Sequence, residues 1–405
     1  MTVTADYRTS ANSTTEGIQA RDVSDIIFHT GEPTEAPLVT LTGGKLYKSG
    51  GQEPEEVKGA ISREACDNIK YEVVEKDPLA RTVTTNGAVA DTTTTTVTLD
   101  SSSNLRIGDM LFNKTSEEMC FVTAIDAGGA DITVRRNLGG TTHTIADDSV
   151  WTIMGNAFKQ GGSKATLKSQ LAAARERYVQ ITKRSFGVTD TAMNLMLETK
   201  QVDLWDEEAT QALVEHKKDI EYMFWMNPQA DSTTDSGSNT VYLTRGIIGE
   251  LIAQDQYDDI GGGLTEDQFF GPVCEKIFEF GPARKSLFVD ARFKSIINGW
   301  ERAKVMSKNR ETKAGLNIQE LETGHGILEI VLCGVFNKFY GDTKKGFGVA
   351  LDLERLAYKY VKNRDTKISE NIHTPGDDVK ESQYITEAGP SLRSLQHHRV
   401  VYNAA

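Results

Sequence analysis

The side chains of this sequence that could do chemistry do not converge on a constellation. The seven histidines are scattered. His397 and His398 adjoin, but neighbouring side chains on a strand point to opposite faces. Zinc needs three or four convergent ligands, so no metal site is expected there. Asp255, Asp258 and Asp259 precede Gly261-Gly262-Gly263. A calcium loop needs oxygen ligands at alternate positions and a closing glutamate. That pattern is missing, and a solvated loop is the better reading. Asp231, Asp235 and Gly237 read the same way. Arg302, Lys304, Lys308, Arg310 and Lys313 could touch phosphate, but without interleaved aromatics they read as a solvated face. Cys66, Cys120, Cys274 and Cys333 form no CxxC and read as reduced thiols of a cytosolic protein. No P-loop, GxSxG, HExxH or helix-opening GxGxxG occurs. No catalytic, cofactor-binding or metal-binding residue is therefore expected, and no enzyme.

The elements that would have to position any site are clearer. Leu204–Met226 reads LWDEEATQALVEHKKDIEYMFWM. Trp205, Ala209, Ala212, Leu213, Ile220, Met223 and Phe224 recur at steps of three and four, one stripe of a helix. Asp203 can cap it, and Asp206, Glu207 and Glu208 suit its positive end. Asn227-Pro228 stops it. At 1.5 Å per residue this spine is ~35 Å long. Thr189–Thr199 has helical composition and could extend it.

Residues 1–20 are rich in Ser, Thr and Asn and read as a flexible arm. DVSDIIFHTGEPTEAPLVTLTGG follows from Asp22, an extended segment that cannot make its own core and must dock on something. Ile69–Arg81 alternates apolar and polar residues as a strand with one exposed face. Tyr178–Phe186 is its expected partner in a long two-stranded arm. Between them, short β-rich runs separated by Gly, Asp and Asn turns predict a small inserted sandwich or barrel at 82–156. Ala165–Arg177 prefers helix by composition. Val241–Ile252 carries short apolar runs of undecided type. Leu264–Gly281 is expected as a helix, with a Thr265/Gln268 capping box and a Leu264/Phe269 staple. Ser286–Val289 reads as a strand, and Asp290 caps a helix through Ala303. Strands are expected at Ile327–Cys333, Gly348–Leu353 and Val400–Tyr402. The fold class is α+β.

The totals fit this reading. A chain of 405 residues suggests two or three folded units. Charged residues are 25% and hydrophobic ones 38%, a globular balance. The net charge of −13 argues against a free-standing nucleic-acid binder. The N-terminus has no apolar signal region, and no stretch approaches a membrane span.

The succession resembles the major capsid proteins of tailed bacteriophages, whose shell fold encapsulins share. DVSDIIFHTGEPTEAPLVTL is similar to the docking segment of their N-terminal arm. YEVVEKDPLAR and YVQITKRSFGVTDTA are similar to the strands of their extended loop. LTEDQFFGPVCEKIFEFGPARKSLFVDARFKSII is similar to the helix, strand and helix of their axial lobe. The resemblance implies an arm at 1–45 and an extended loop at 46–81 and 157–187. It implies a peripheral domain at 188–230 and 341–405 and an axial domain at 231–340. The 82–156 module departs from the minimal pattern and is like the accessory β-domains of some members.

What the resemblance implies is a head protein that self-assembles, as hexamers and pentamers, into an icosahedral or prolate shell around double-stranded DNA. It implies no sequence-specific DNA contact, no cofactor and no membrane. A separate scaffolding protein, a portal and a decoration or minor capsid protein are the implied partners. The virion is the implied location, with the host cytoplasm during assembly. Inter-subunit contact is expected at Leu38, Val39, Tyr71, Val73, Tyr178, Val179, Ile181 and Phe186. The alternatives are an encapsulin-like compartment, or a monomeric enzyme or glycan-binding protein with an appended β-module.

Overall fold

A computed structural model describes residues 36–46, 55–58, 60–76, 78–126, 128, 130–162, 164–194, 204–227, 231–304, 308–313, 316–339 and 346–404. The expected flexible arm at 1–20 and the Asp203 cap lie outside them. So do the side chains of the basic run at 302–313. The chain divides into two compact units, Met1–Val73 with Arg175–Ala405, and Val74–Ala174.

The second unit is a β-barrel. Six antiparallel strands run in the order Thr82–Thr84, Val150–Asn156, Asp109–Asn113, Met119–Ile125, Asp131–Arg135 and Thr96–Thr98. A bridge between Thr85 and Leu99 joins the first edge to the last, which removes the free edges. Alternation along each strand sends Val83, Val97, Leu111, Cys120, Val122, Ile132, Val134 and Trp151 inward, where they make one core. Gly108 has φ +98°, and a Cβ there would meet the Ala157 carbonyl at 3.0 Å and the Phe158 ring at 3.1 Å. Only glycine fits that turn. The unit extends beyond 82–156 on both sides.

The first unit is built on a seven-stranded mixed sheet. Its order is Tyr257–Asp259, Arg399–Tyr402, Gly348–Leu351, Arg284–Val289, Ile327–Leu332, Leu316–Glu322 and Lys308–Lys313. Arg284–Val289 runs parallel to Ile327–Leu332 and antiparallel to Gly348–Leu351. Both faces are covered, which is why these strands are apolar runs and not alternating ones. Phe288, Val331, Val349 and Leu351 face the core shared with the spine helix. Leu287, Val289, Ile330 and Ala350 face a second core with Phe269, Val273, Ile277, Phe293 and Ile297. This sheet draws strands from both sides of position 340/341.

The spine helix spans Leu204–Met226 as its periodicity predicts. Ala212, Ile220, Met223 and Phe224 are buried, while Trp205, Ala209 and Leu213 are half-buried. Trp225 packs edge-on against Phe288 and Phe336 at ring distances of 5.3 and 4.9 Å. At the end of the helix, a Cβ on Gly246 would meet the Asn227 backbone nitrogen at 2.6 Å, so this close approach also requires glycine.

Several expectations are corrected. Tyr178–Phe186 meets Ile69–Arg81 only at its first residues, where the Val179 N–H donates to the Ile69 carbonyl at 2.9 Å, and does not pair with it along its length. Lys70–Glu75 pairs with Ala173–Tyr178, and the next strand, Gln180–Thr189, pairs along its whole length with Val379–Leu392. That 14-residue strand, VKESQYITEAGPSL, is absent from the sequence reading. Glu, Gly and Pro obscure it, and pairing on both edges makes it. Leu356–Val361, Lys367–Glu370 and Ser62–Cys66 complete its sheet. Ala165–Arg177 is not helical: 165–172 lack regular structure, and Ala173–Tyr178 is a strand. The ladder overrides a weak helical preference there. The Leu264–Gly281 helix is broken at Gly271-Pro272, where Gly271 takes ψ −106°. Proline lacks the N–H and clashes with the preceding turn. The capping box of Thr265 and Gln268 is present. Within Val241–Ile252, Ile247 opens a helix to Ala253.

Candidate subunit-contact surfaces

Five of the residues with possible chemistry, His397, His398, Asp258, Asp231 and Asp235, are held in local hydrogen bonds and ion pairs. His398 is buried; its Nδ1 accepts from the Asp352 N–H at 3.2 Å and its Nε2 lies 3.1 Å from the Arg393 carbonyl. His397 Nδ1 lies 3.1 Å from Asp352 Oδ2. Asp258 sits between Lys276 at 2.6 Å and Arg399 at 2.7 Å. Asp231 pairs with Arg245 at 2.8 Å. Asp235 accepts N–H bonds from Gly237 and Asn239 within its own turn. Among the described residues no group of His, Cys, Asp and Glu could hold a metal ion. Among them, too, no helix is long and apolar enough to cross a membrane.

The eight expected contact residues fall into two places. Leu38 and Val39 lie in a short helix, Pro37–Leu41, with proline at its first turn where no N–H is needed. Leu38 is buried in the spine core, and Val39 packs against it half-buried. Glu221 of the spine holds this helix. Its Oε1 accepts from the Leu38 N–H at 3.0 Å and from Trp225 Nε1–H at 2.7 Å, and its Oε2 accepts from the Val39 N–H at 2.8 Å. Burial raises the Glu221 carboxyl to about 7, against the lowering effect of the three N–H groups.

The other six lie on the strands Lys70–Glu75, Ala173–Tyr178 and Gln180–Thr189 and at Val179 between the last two. Tyr71, Val73 and Val179 form a small buried cluster. The Tyr71 hydroxyl donates to the Pro390 carbonyl at 2.8 Å, and Tyr178 stacks on Tyr242 at 5.2 Å. Arg177 and Arg175 both bind the Glu250 carboxylate, and Lys70 pairs with Glu176. Phe186 is buried between Trp205 and Tyr384. Ile181 is the one of the eight that is plainly exposed, at 52%. The chain's own core thus covers most of the apolar residues that a monomer had been expected to leave open. The reason is that the sheet with Val379–Leu392 and the seat at Glu221 were not visible in the sequence.

Other apolar residues take the exposed role. Val74 is 65% exposed, and Leu167 and Leu171 are each 86% exposed. Their signal is legible afterwards: two leucines four apart in a lysine-bearing stretch with no periodic partner. Glu221 left no such signal, because an acid on a long helix reads as its solvated face.

The sequence matches the family model described as SU10 major capsid protein over residues 4–405. The chain belongs to that family. As a major capsid protein it is a structural protein of the virion that assembles with copies of itself into a shell. Its α+β architecture is similar to solved capsids at low identity. The capsid of Myoviridae phage XM1 is 9% identical, with 98% of this chain and 99% of that chain covered and a TM-score of 0.44. The capsid of the native GTA particle is 9% identical over 98% of this chain and 100% of that one, also at 0.44. The SrpI encapsulin of Synechococcus elongatus is 10% identical over 58% of this chain and 78% of that one, at 0.42. No curated protein sequence matches the chain.

Proposed function

We propose that this capsid protein forms a closed icosahedral or prolate shell of hexamers and pentamers around the double-stranded DNA of a tailed phage, without catalysing a reaction. The observation that carries this is the family match over nearly the whole chain. It favours a viral shell over an encapsulin-like compartment, and over a monomeric enzyme or glycan-binding protein. A net charge of −13 supports containment of DNA without adhesion to it. Closed symmetry lets many modest contacts sum to a stable particle. Assembly in the host cytoplasm with a scaffolding protein, a portal and a decoration or minor capsid protein completes the reading.

The domain reading is an arm at 1–45, an extended loop at 46–81 with 157–187, an inserted module at 82–156, a peripheral domain at 188–230 with 341–405, and an axial domain at 231–340. Within it, Ile181 and the half-exposed Tyr178 and Val39 touch neighbouring subunits. Leu38, Tyr71, Val73, Val179 and Phe186 back those contacts from inside. Val74, Leu167 and Leu171 join the contacting set, since exposed apolar groups in such number mark interaction surfaces. The test is co-expression of the full chain with its scaffolding partner, followed by electron microscopy. Shells are expected from the natural chain and none from a Leu167→Asp/Leu171→Asp variant that keeps its circular dichroism. A monodisperse monomer across protein concentration and salt would overturn the shell reading.

A further inference from the structure

The sequence holds two Asn-Gly pairs, Asn86-Gly87 and Asn298-Gly299. An asparagine followed by glycine can close on itself. The glycine nitrogen attacks the side-chain amide carbon, and glycine has no Cβ to obstruct the approach. The structure sets the two pairs apart. Asn298-Gly299 lies inside the helix Ala291–Lys304. There each N–H is committed to the carbonyl four residues back, and closure would have to break that ladder. Asn86-Gly87 lies in an exposed turn of the barrel, just after the strand Thr82–Thr84. Gly87 has φ +97°, and its Cα faces open space. The Asn86 N–H donates to the Thr98 carbonyl at 3.0 Å. The Gly87 N–H donates to Asp147 Oδ1 at 2.6 Å, and the same oxygen accepts from the Asp148 N–H at 3.0 Å.

A base must lie within hydrogen-bond reach of the proton it removes, and Asp147 does. The N–H lies in the plane of the amide, whereas attack uses the face of that plane. The carboxylate therefore draws on the proton without blocking the nitrogen. We propose that Asn86-Gly87 is a site of self-modification with Asp147 as its base. The Gly87 nitrogen bonds to Asn86 Cγ, and its proton passes to the Asp147 carboxylate. The Cγ–N bond of the side-chain amide breaks, and its nitrogen takes that proton and leaves as ammonia. Water then opens the five-membered imide at either carbonyl, giving aspartate or isoaspartate, and is the only co-reactant. Either product places a new carboxylate beside Asp147. Isoaspartate also lengthens the main chain by one carbon. It does so at the turn whose Asn86 N–H holds Thr98, next to the Thr85–Leu99 bridge that closes the barrel. The closing edge of the barrel therefore loosens with the age of the chain. The chemistry is confined to one chain, so it stands or falls independently of shell assembly.

The measurement is peptide mass spectrometry of the full chain, kept folded at neutral pH and physiological temperature for several weeks. Asn86 should convert from amide to acid and split into two isomers, one of them a substrate for an isoaspartyl methyltransferase. Its conversion should exceed that of Asn298 by about tenfold or more. Asp147→Asn should slow it by about tenfold, less than a positioned base usually contributes, because water also reaches this open turn. In urea the two pairs should convert alike, and Asp147→Asn should make no difference. Chain that carries isoaspartate should melt below fresh chain. Equal conversion at Asn86 and Asn298 in the folded chain overturns the proposal, as does an unchanged or faster conversion in Asp147→Asn. An unchanged melt overturns the loosening of the barrel. If Asp147→Asn fails to fold, the two pairs of the natural chain, compared folded and in urea, decide by the same criterion.

Discussion

Glu118 in the barrel and Glu221 in the spine are both buried glutamates, and they respond to burial in opposite directions. Burial alone would raise Glu118. Arg136 reverses it, donating to both carboxylate oxygens at 2.9 and 2.6 Å, and the His143 N–H adds a third bond. The Glu118 carboxyl ends below its usual range. Arg136 also reaches the carbonyls of Asp91 and His143, so the pair ties loop to loop. Glu221 has hydrogen bonds without a countercharge, and it ends well above the usual range. A full positive charge, and not the number of hydrogen bonds, separates a fixed structural pair from a group that can change state.

The largest effect expected is in the body. Ile220 is 2% exposed beside Glu221, so Ile220→Asp adds a second carboxylate without a cation to the same core. It forfeits roughly 1.5–3 kcal/mol of apolar burial and adds a desolvation cost. No soluble folded chain is expected, whereas Leu213→Asp, at a half-buried position of the same helix, should remain partly soluble. Equal yields of the two variants would break the distinction between the faces of the spine.

Next in size is the barrel pair. Arg136→Met leaves Glu118 buried without its partner and should cost about 3–5 kcal/mol. Residues 74–174 expressed alone should melt cooperatively with a β-type circular dichroism spectrum, and the variant should melt well below them. A module that does not fold alone, or a variant with an unchanged melt, would show that the pair is not what holds the barrel.

The pH dependence sharpens the contrast at a smaller scale. The folded value of Glu118 is lowered, so its contribution is present above the ordinary 4.5 and lost as pH falls through the lowered value. Acid titration of the isolated barrel followed by Trp151 fluorescence should show that loss. Glu221 contributes in the opposite sense: its share of the body's stability is present below 4.5 and gone above about 7. Titrations of the same sign for both would remove the comparison. The smallest effect on the fold is expected on the exposed surface. Val74→Ser, and Leu167→Ser with Leu171→Ser, should change stability by no more than about 0.5 kcal/mol. Their loss should show instead in particle yield by electron microscopy.

The sequence by itself determined the spine to the residue, the capping box at Thr265, the apolar strands at Ser286–Val289 and Ile327–Cys333, and the existence of the β-module. Each is written in a local period or a local cap, which needs no partner to be read. The tertiary structure alone decided the partner of Gln180–Thr189. Val379–Leu392 has no alternating pattern, and only the strands at its two edges satisfy its backbone groups. It likewise decided Ala173–Tyr178 against its helical composition. Most of all, it decided that Glu221 faces inward. Nothing in WDEEATQALVEHKKDIEYM separates that glutamate from Glu207, Glu208 or Glu215. Its role arises from two amide groups that the chain brings back across more than 180 residues.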